Sequence, residues 1–398
     1  MKTTISHKIF TTAAELPEHW NVLANDNIFL TREYLEVLEK SAPINMTCHF
    51  IGLFENENLV GIALSQFLDL NKLASFGDRD RCVKTSVRNF IFKTFASHVL
   101  FIGNNMLTGQ NAFSFDEKIN KSEALLALKS ASESIKKIFQ KRRLKVHITT
   151  FKDFSAAEIT DFKNAGYQNY YQFTIQPNMI FSIDANWKSE QDYINALSKK
   201  YRDQYKRARK KADGIEKRKM HLEDIITFEE TIYKLYLHVA KNAPFNTFLL
   251  AKNHFSTFKR LLKDQFLFYG YFLDEKLIGF NTLIRNGTAM DTYFLGYDDN
   301  IQKEKMLYLN MLYDIIAYSV NKGFREVIFA RTALEIKSSV GAKPLEMYGL
   351  IQHRNKQINK KIAKIFDYLE PKTEWKERNP FSSDSRLQEA AENQQSTV

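Results

Sequence analysis

The sequence predicts an α+β protein built from two tandem domains, and two observations lead there: a length of 398 residues and an internal echo across the two halves. A chain this long exceeds what one hydrophobic core usually organises, so two cores of ordinary size are expected. The echo is local and specific. Residues 50–64 read FIGLFENENLVGIAL and residues 268–282 read FYGYFLDEKLIGFNT, with Gly52 and Gly61 in the first and Gly270 and Gly279 in the second. Apolar runs on both sides of an Asp/Glu/Asn turn form a β-hairpin signal.

Each hairpin is followed by the same two elements. In the first half, Leu125, Leu128, Ile135 and Ile138 recur at helical spacing over Lys121 to Gln140, before the strand LKVHITTF. In the second half, Met306, Leu309, Leu312, Ile316 and Val320 mark a helix from Lys305 to Asn321, which Gly323 stops before the strand REVIFAR. Hairpin, helix and strand therefore occur twice in the same order. Between the halves, a short helix ending at Gly166, then a strand and a turn at Pro177, place the boundary near residue 178. The expected division is 1–178, 179–375 and a polar tail, 376–398, whose composition predicts disorder.

Composition narrows the class. Hydrophobic residues make up 44% and aromatics 13%, with 32 Phe and 18 Tyr, which suits packed cores. Two cysteines, Cys48 and Cys82, show no CxxC and no Cys/His ligand spacing, so neither a disulfide framework nor a zinc site is expected. The N-terminal residues lack an apolar h-region, and no run of eighteen apolar residues occurs anywhere. The reading expects no signal peptide and no membrane span, hence a cytoplasmic protein. A formal net charge of +11 predicts attraction to something anionic: a phosphate-bearing cofactor, a nucleic acid or an acidic membrane surface.

Four segments resemble the FemAB-like branch of the GNAT acyltransferase superfamily, in which two acyltransferase-type domains stand in tandem. They are NIFLTREYLEVLEK (27–40), YINALSKKYRDQYKRARKK (193–211), YGYFLDEKLIGFNTLI with DTYFLGYDDN, and VNKGFREVIFARTALEIKSSVGAKP (320–344). The resemblance implies two GNAT-like domains, each a mixed, mainly antiparallel twisted sheet flanked by helices, with the working site in the second. It implies an acyl-CoA or acyl carrier protein thioester, or an aminoacyl-tRNA, as donor, and an amine as acceptor. One departure stands out. Where such enzymes carry a glycine-rich phosphate loop, this chain reads YDDNIQKEKMLYLN without a glycine. Coenzyme A would then rely on Lys303 and Lys305.

Lys337 matches a lysine that Fem-type enzymes place beside the transferred carbonyl, where a cation would stabilise the oxyanion; the alternative is an ordinary loop lysine. Arg331 ends the strand VIFAR, a usual place for ligand contacts in open sheets, or pairs with Glu335. Asp291 and Tyr293 share a strand face by period-two alternation, and either could accept the proton of the attacking amine, although strand tyrosines more often pack. His238 and Asn242, at i and i+4 on one helix, form a candidate acceptor wall, or His238 packs. No HExxH or similar spacing predicts a metal.

Residues Lys199 to Lys211 hold eight cations, with Tyr193, Leu197, Tyr201 and Tyr205 four residues apart on one face. The charge has three readings: a solvated face, a grip on an anionic donor, or peripheral contact with an acidic inner-membrane surface. Sequence-specific nucleic-acid binding is not expected, because no reading element accompanies the charge. The functional expectation is an N-acyltransferase working on an amine, in lipid or cell-envelope biosynthesis. A Fem-type aminoacyl-tRNA-dependent ligase of a peptidoglycan precursor is the second reading, and the missing heptad-patterned arm speaks against it. The third is a non-catalytic binding protein on a degenerate fold.

Overall fold

The computed structural model describes residues 5–72, 96–242, 246–369 and 375–382. Among these residues thirteen strands are numbered in chain order. The first six are β1 (Ser6–Phe10), β2 (Met46–Glu55), β3 (Asn58–Asp69), β4 (His98–Ile102), β5 (Phe113–Phe115) and β6 (Ile148–Phe154). Then come β7 (Tyr171–Ser182), β8 (Glu216–Lys219), β9 (Phe266–Leu273), β10 (Lys276–Asn286), β11 (Ala289–Tyr297), β12 (Glu326–Ala330) and β13 (Lys343–His353). The expected α/β class with mainly antiparallel sheets flanked by helices is what the chain adopts.

The chain divides into two compact units: Met1–Gln176 with Pro244–Lys263 and Glu346–Lys372, and Pro177–Ala243 with Asp264–Leu345 and Thr373–Val398. Sequence order and unit membership part company where burial demands it. In the first unit Phe258 packs edge-on against Tyr34 at 5.7 Å, and Asn105 donates to the Thr247 hydroxyl at 2.8 Å, so the segment around residues 247–258 serves that core.

Strand pairing in the two units is the same. In the first, β1, β2, β3 and β4 pair antiparallel in succession and β4 pairs parallel with β6. In the second, β8, β9, β10 and β11 pair antiparallel in succession and β11 pairs parallel with β12. Each sheet is then continued by one more antiparallel strand: β13 from Tyr348 onward, which sequence order alone would give to the second half, pairs with β6, and β7 from Met179 onward, at the start of the second half, pairs with β12.

The echoed hairpins match in detail. Asn56 and Glu57 (φ 47° and 69°) turn the first, and Asp274 and Glu275 (φ 48° and 59°) turn the second. Two consecutive left-handed residues make a type I′ turn, whose twist suits a two-residue hairpin. A Cβ at Gly52 would meet Phe54 and Leu59; one at Gly270 would meet Phe272 and Leu277, the corresponding residues.

The helix from Lys121 forms as expected and runs to Lys141. The helix expected from Lys305 to Asn321 begins two residues later, at Leu307, because Met306 in the left-handed region separates it from a further short helix, Asp299–Lys305. The tyrosine-faced segment is two helices, Glu190–Ala196 and Lys199–Lys211, broken at Leu197, which has extended backbone.

Residues 376–382 correct the expectation of a disordered tail, because apolar burial anchors them. Phe381 lies with Phe181, Trp187 and Tyr193, and the backbone of Leu197 bridges to it. The remainder of that expected tail, 383–398, lies outside the described residues, as does Cys82. No described helix is long and apolar enough to cross a membrane.

Candidate functional site

The second unit places a fork in its sheet. β11 and β12 pair over Ala289–Asp291 with Glu326–Ile328 only, yet β11 continues to Tyr297. On its other edge β11 stays paired with β10 as far as Tyr297 opposite Gly279. Beyond Asp291, then, β11 has one edge held and one edge not paired to β12. At the point of divergence the Thr292 hydroxyl donates to the Ile328 carbonyl at 3.0 Å.

Asp291 sits at the base of this fork, almost fully buried on β11. Asn286 donates to its Oδ2 at 3.1 Å, and Glu326 lies near enough to add like charge. Burial, the larger effect, pushes the carboxyl up to about 7, so it titrates close to neutrality. Tyr293, two residues on, is half-buried and meets Phe294 edge-on at 4.6 Å.

The C-terminal end of β12 is held by Lys337. Its side chain is buried, and Nζ donates to the carbonyls of Phe329 (2.6 Å), Ala330 (3.2 Å) and Arg331 (2.6 Å). Ala330, Thr332 and Ala333 all have φ between 48° and 66°, and Thr332, being β-branched, finds that region especially unfavourable. The ammonium therefore satisfies carbonyls exposed by a strained turn. Burial pushes it down to about 7, while the three carbonyl acceptors act the other way by solvating the charge. Arg331, largely buried, has its guanidinium pushed down to about 10 by desolvation. The structure thus gathers Asp291, Arg331 and Lys337 around one strand pair, with the Lys337 protons directed at backbone.

The helix end that follows β11 is already occupied. Asp298 is the N-cap of Asp299–Lys305, its carboxylate accepting from the Asn300 N–H at 3.0 Å, and Asp299 stands in the first turn. Two carboxylates fill the place where a glycine-rich loop would receive a pyrophosphate, so like-charge repulsion opposes one there. Asn242 donates to Asp299 Oδ2 at 2.8 Å, joining two helices, and His238 is exposed. Lys303 is exposed; Lys305 donates to the Asp213 carbonyl at 3.3 Å.

The basic helix is not uniform. Arg209 bridges Glu190 (2.8 Å) and Asp314 (2.6 Å), and Tyr271 donates to the other oxygen of Asp314 at 3.0 Å. Arg202 donates to the Leu197 carbonyl at 2.6 Å. Lys199, Lys200, Lys206, Arg207, Lys210 and Lys211 are exposed. Near the start of this helix lies a surface pocket of about 470 Å³, to which Glu335 and Arg378 contribute. Arg378, not Arg331, is the guanidinium paired with Glu335. Sequence reading missed Glu190, Asp314 and Arg378, since each acts on a partner far away along the chain. Among the described residues no group of three or more His, Cys, Asp and Glu is arranged to hold a metal ion.

No family model matches the chain, and no curated protein matches it. Solved structures do. The chain is similar to FemX at 13% identity, covering 92% of this chain and 100% of that one, with a TM-score of 0.49. It is similar to a tandem GNAT protein from the clavulanic acid biosynthesis pathway at 8% identity, covering 88% and 99%, with a TM-score of 0.47. L-PGS from Bacillus licheniformis aligns at 10% identity over 83% and 95%, with a TM-score of 0.43.

Proposed function

We propose that the second unit is an acyltransferase, moving an acyl or aminoacyl group from an activated donor to a primary amine. The observation that supports this most is the fork between β11 and β12, with a carboxyl that titrates near 7 at its base. Where β11 parts from β12 beyond Asp291, the diverging strands leave a cleft that suits a donor arm rich in amides, held as an added strand would be. In the reaction the amine nitrogen attacks the acyl carbonyl; the N–C bond forms, the bond from that carbon to the donor sulfur or oxygen breaks, and the leaving atom takes a proton.

Asp291 is the general base for the amine proton, since a group titrating near the working pH combines availability with driving force. Tyr293 is the second candidate on that strand face. Lys337 is the positioning residue: by holding the carbonyls of Phe329, Ala330 and Arg331 it fixes the end of β12, and its charge adds positive potential there for the oxyanion. Arg331 would meet an anionic part of the donor.

The carboxylates at Asp298 and Asp299 favour a donor whose phosphates are not lodged after β11: an acyl carrier protein, an aminoacyl-tRNA, or a coenzyme A gripped elsewhere. His238 and Asn242 remain the proposed acceptor side, and Lys199 to Lys211 the proposed anionic contact. Native mass spectrometry of the protein with acyl-CoA, acyl carrier protein thioesters and aminoacyl-tRNA tests the reading. A donor retained by the wild type and lost on Arg331→Ala and Lys337→Ala supports it. Retention of none by the folded protein moves the assignment to a non-catalytic binding protein.

A further inference from the structure

The pocket at the start of the basic helix takes Lys200, Tyr201 and Gln204 from the segment proposed above as an anionic contact, and adds residues that the transfer chemistry does not use. Six of the residues around it are Lys200, Tyr201, Gln204, Glu335, Ser339 and Arg378, and its volume of about 470 Å³ is that of a small-molecule site. We propose that it binds the phosphoryl group of a small phosphorylated molecule. The inference stands independently of acyl transfer.

Three walls form the pocket, and all are fixed. One is the first turn of Lys199–Lys211, one is the helix Leu334–Ser338 with Ser339 after it, and the third is the strap from Trp375 to Ser382. The strap is fastened at both sides: the Ser198 N–H donates to the Pro380 carbonyl at 2.8 Å, the Ser382 N–H to the Ala196 carbonyl at 3.1 Å, and the Arg378 N–H to the Ser338 hydroxyl at 3.0 Å. A site whose walls are already tied together loses little to ordering when it binds.

Its charge is positive. Among the described residues Glu335 is the one carboxylate in the lining, and Arg378 pairs with it through Nε (3.0 Å) and a terminal nitrogen, so that charge is neutralised. This leaves Lys200, exposed and 5.4 Å above the Tyr201 ring, as net positive charge, together with the remaining guanidinium nitrogen of Arg378 as a donor. The helix adds to this. Ser198 makes no side-chain cap and no acidic residue stands in the first turn, so the positive helix end is not offset there. Gln204, whose Nε2 donates one proton to the Tyr313 hydroxyl at 3.3 Å, keeps a second N–H for a ligand, and the Tyr201 side chain adds apolar surface. A phosphoryl group, with several acceptor oxygens and up to two negative charges, meets this set better than a neutral ligand would.

The test is titration calorimetry of the full chain with inorganic pyrophosphate. The expected result is one saturable site per chain, weakened at least tenfold by Lys200→Glu and by Arg378→Ala, and less than twofold by Lys322→Glu, an exposed position outside both the pocket and the basic helix. Lys200 is exposed, so its substitution reads charge even if Arg378→Ala loosens the strap. Absence of saturable binding overturns the proposal, as does equal weakening by Lys322→Glu, which would mean diffuse basicity. In a competition arm, displacement of pyrophosphate by coenzyme A assigns the phosphoryl group to that cofactor, and its persistence assigns it to another phosphorylated molecule. Loss of pyrophosphate binding sites with acyl transfer intact would sink the pocket alone.

Discussion

Asn286 donates its side-chain amide to Oδ2 of Asp291 at 3.1 Å, a hydrogen bond on a carboxyl that burial holds near 7. A folded-state value above the unfolded one means that the native protein binds the extra proton between about pH 4 and 7, so stability falls as pH rises through that window. The penalty at pH 8 is on the order of 4 kcal/mol for a shift of this size. Asp291→Asn removes it. We expect urea unfolding to show the variant equal to wild type below about pH 4 and more stable at pH 8, with transfer activity lost.

Lys337→Met keeps the length of the side chain and deletes its three donors. Three carbonyls in a left-handed turn then lose their partner, at a cost of about 2–4 kcal/mol. A lower urea midpoint with an unchanged slope checks this; an unchanged midpoint would show that solvent replaces the ammonium without loss.

Gly270→Ala would bring a methyl to 2.6 Å from Met220 Sδ and 2.8 Å from the Phe272 ring, and Gly52→Ala one to 2.9 Å from Phe54. Overpacking of this kind costs roughly 1–3 kcal/mol. Both substitutions should lower the melting temperature, Gly270→Ala the more, because equivalent positions of the two hairpins are crowded by equivalent residues.

Arg209 and Arg207 are neighbours but one in the same helix, with opposite expectations. Arg209→Met leaves Asp314 and Glu190 without their guanidinium and should destabilise by about 2–4 kcal/mol. Arg207→Ala, at an exposed position, should change stability by less than about 0.5 kcal/mol. Chemical denaturation of the two variants distinguishes a charge that holds the fold from one that is free to meet a partner.

The hairpins were legible because their signals are local: acidic or amide residues at the turn and glycines beside rings. The break at Leu197 was not, since the four-residue apolar spacing runs through it and only the backbone conformation stops the helix; Met306, counted on the helix face by its spacing, instead takes a left-handed backbone before the helix begins. Asp298 shows how a cap hides: in sequence it reads as a polar residue after a strand, and its role appears once the Asn300 N–H is beside it. The anchored strap was obscured by its polar neighbours, although Phe381 was the signal that could have found it. Lys337 was placed correctly just past a strand, but three left-handed residues, which no periodicity announces, decide what its protons meet.

The most direct test of acyl transfer at the fork is single-turnover transfer from the panel of thioester and aminoacyl-tRNA donors to primary amines, followed against pH in the wild type and Asp291→Asn. Transfer by the wild type with an acid limb near pH 7, and none by the folded variant, is the expected result. Transfer by Asp291→Asn at the wild-type rate, with the same limb, would contradict it.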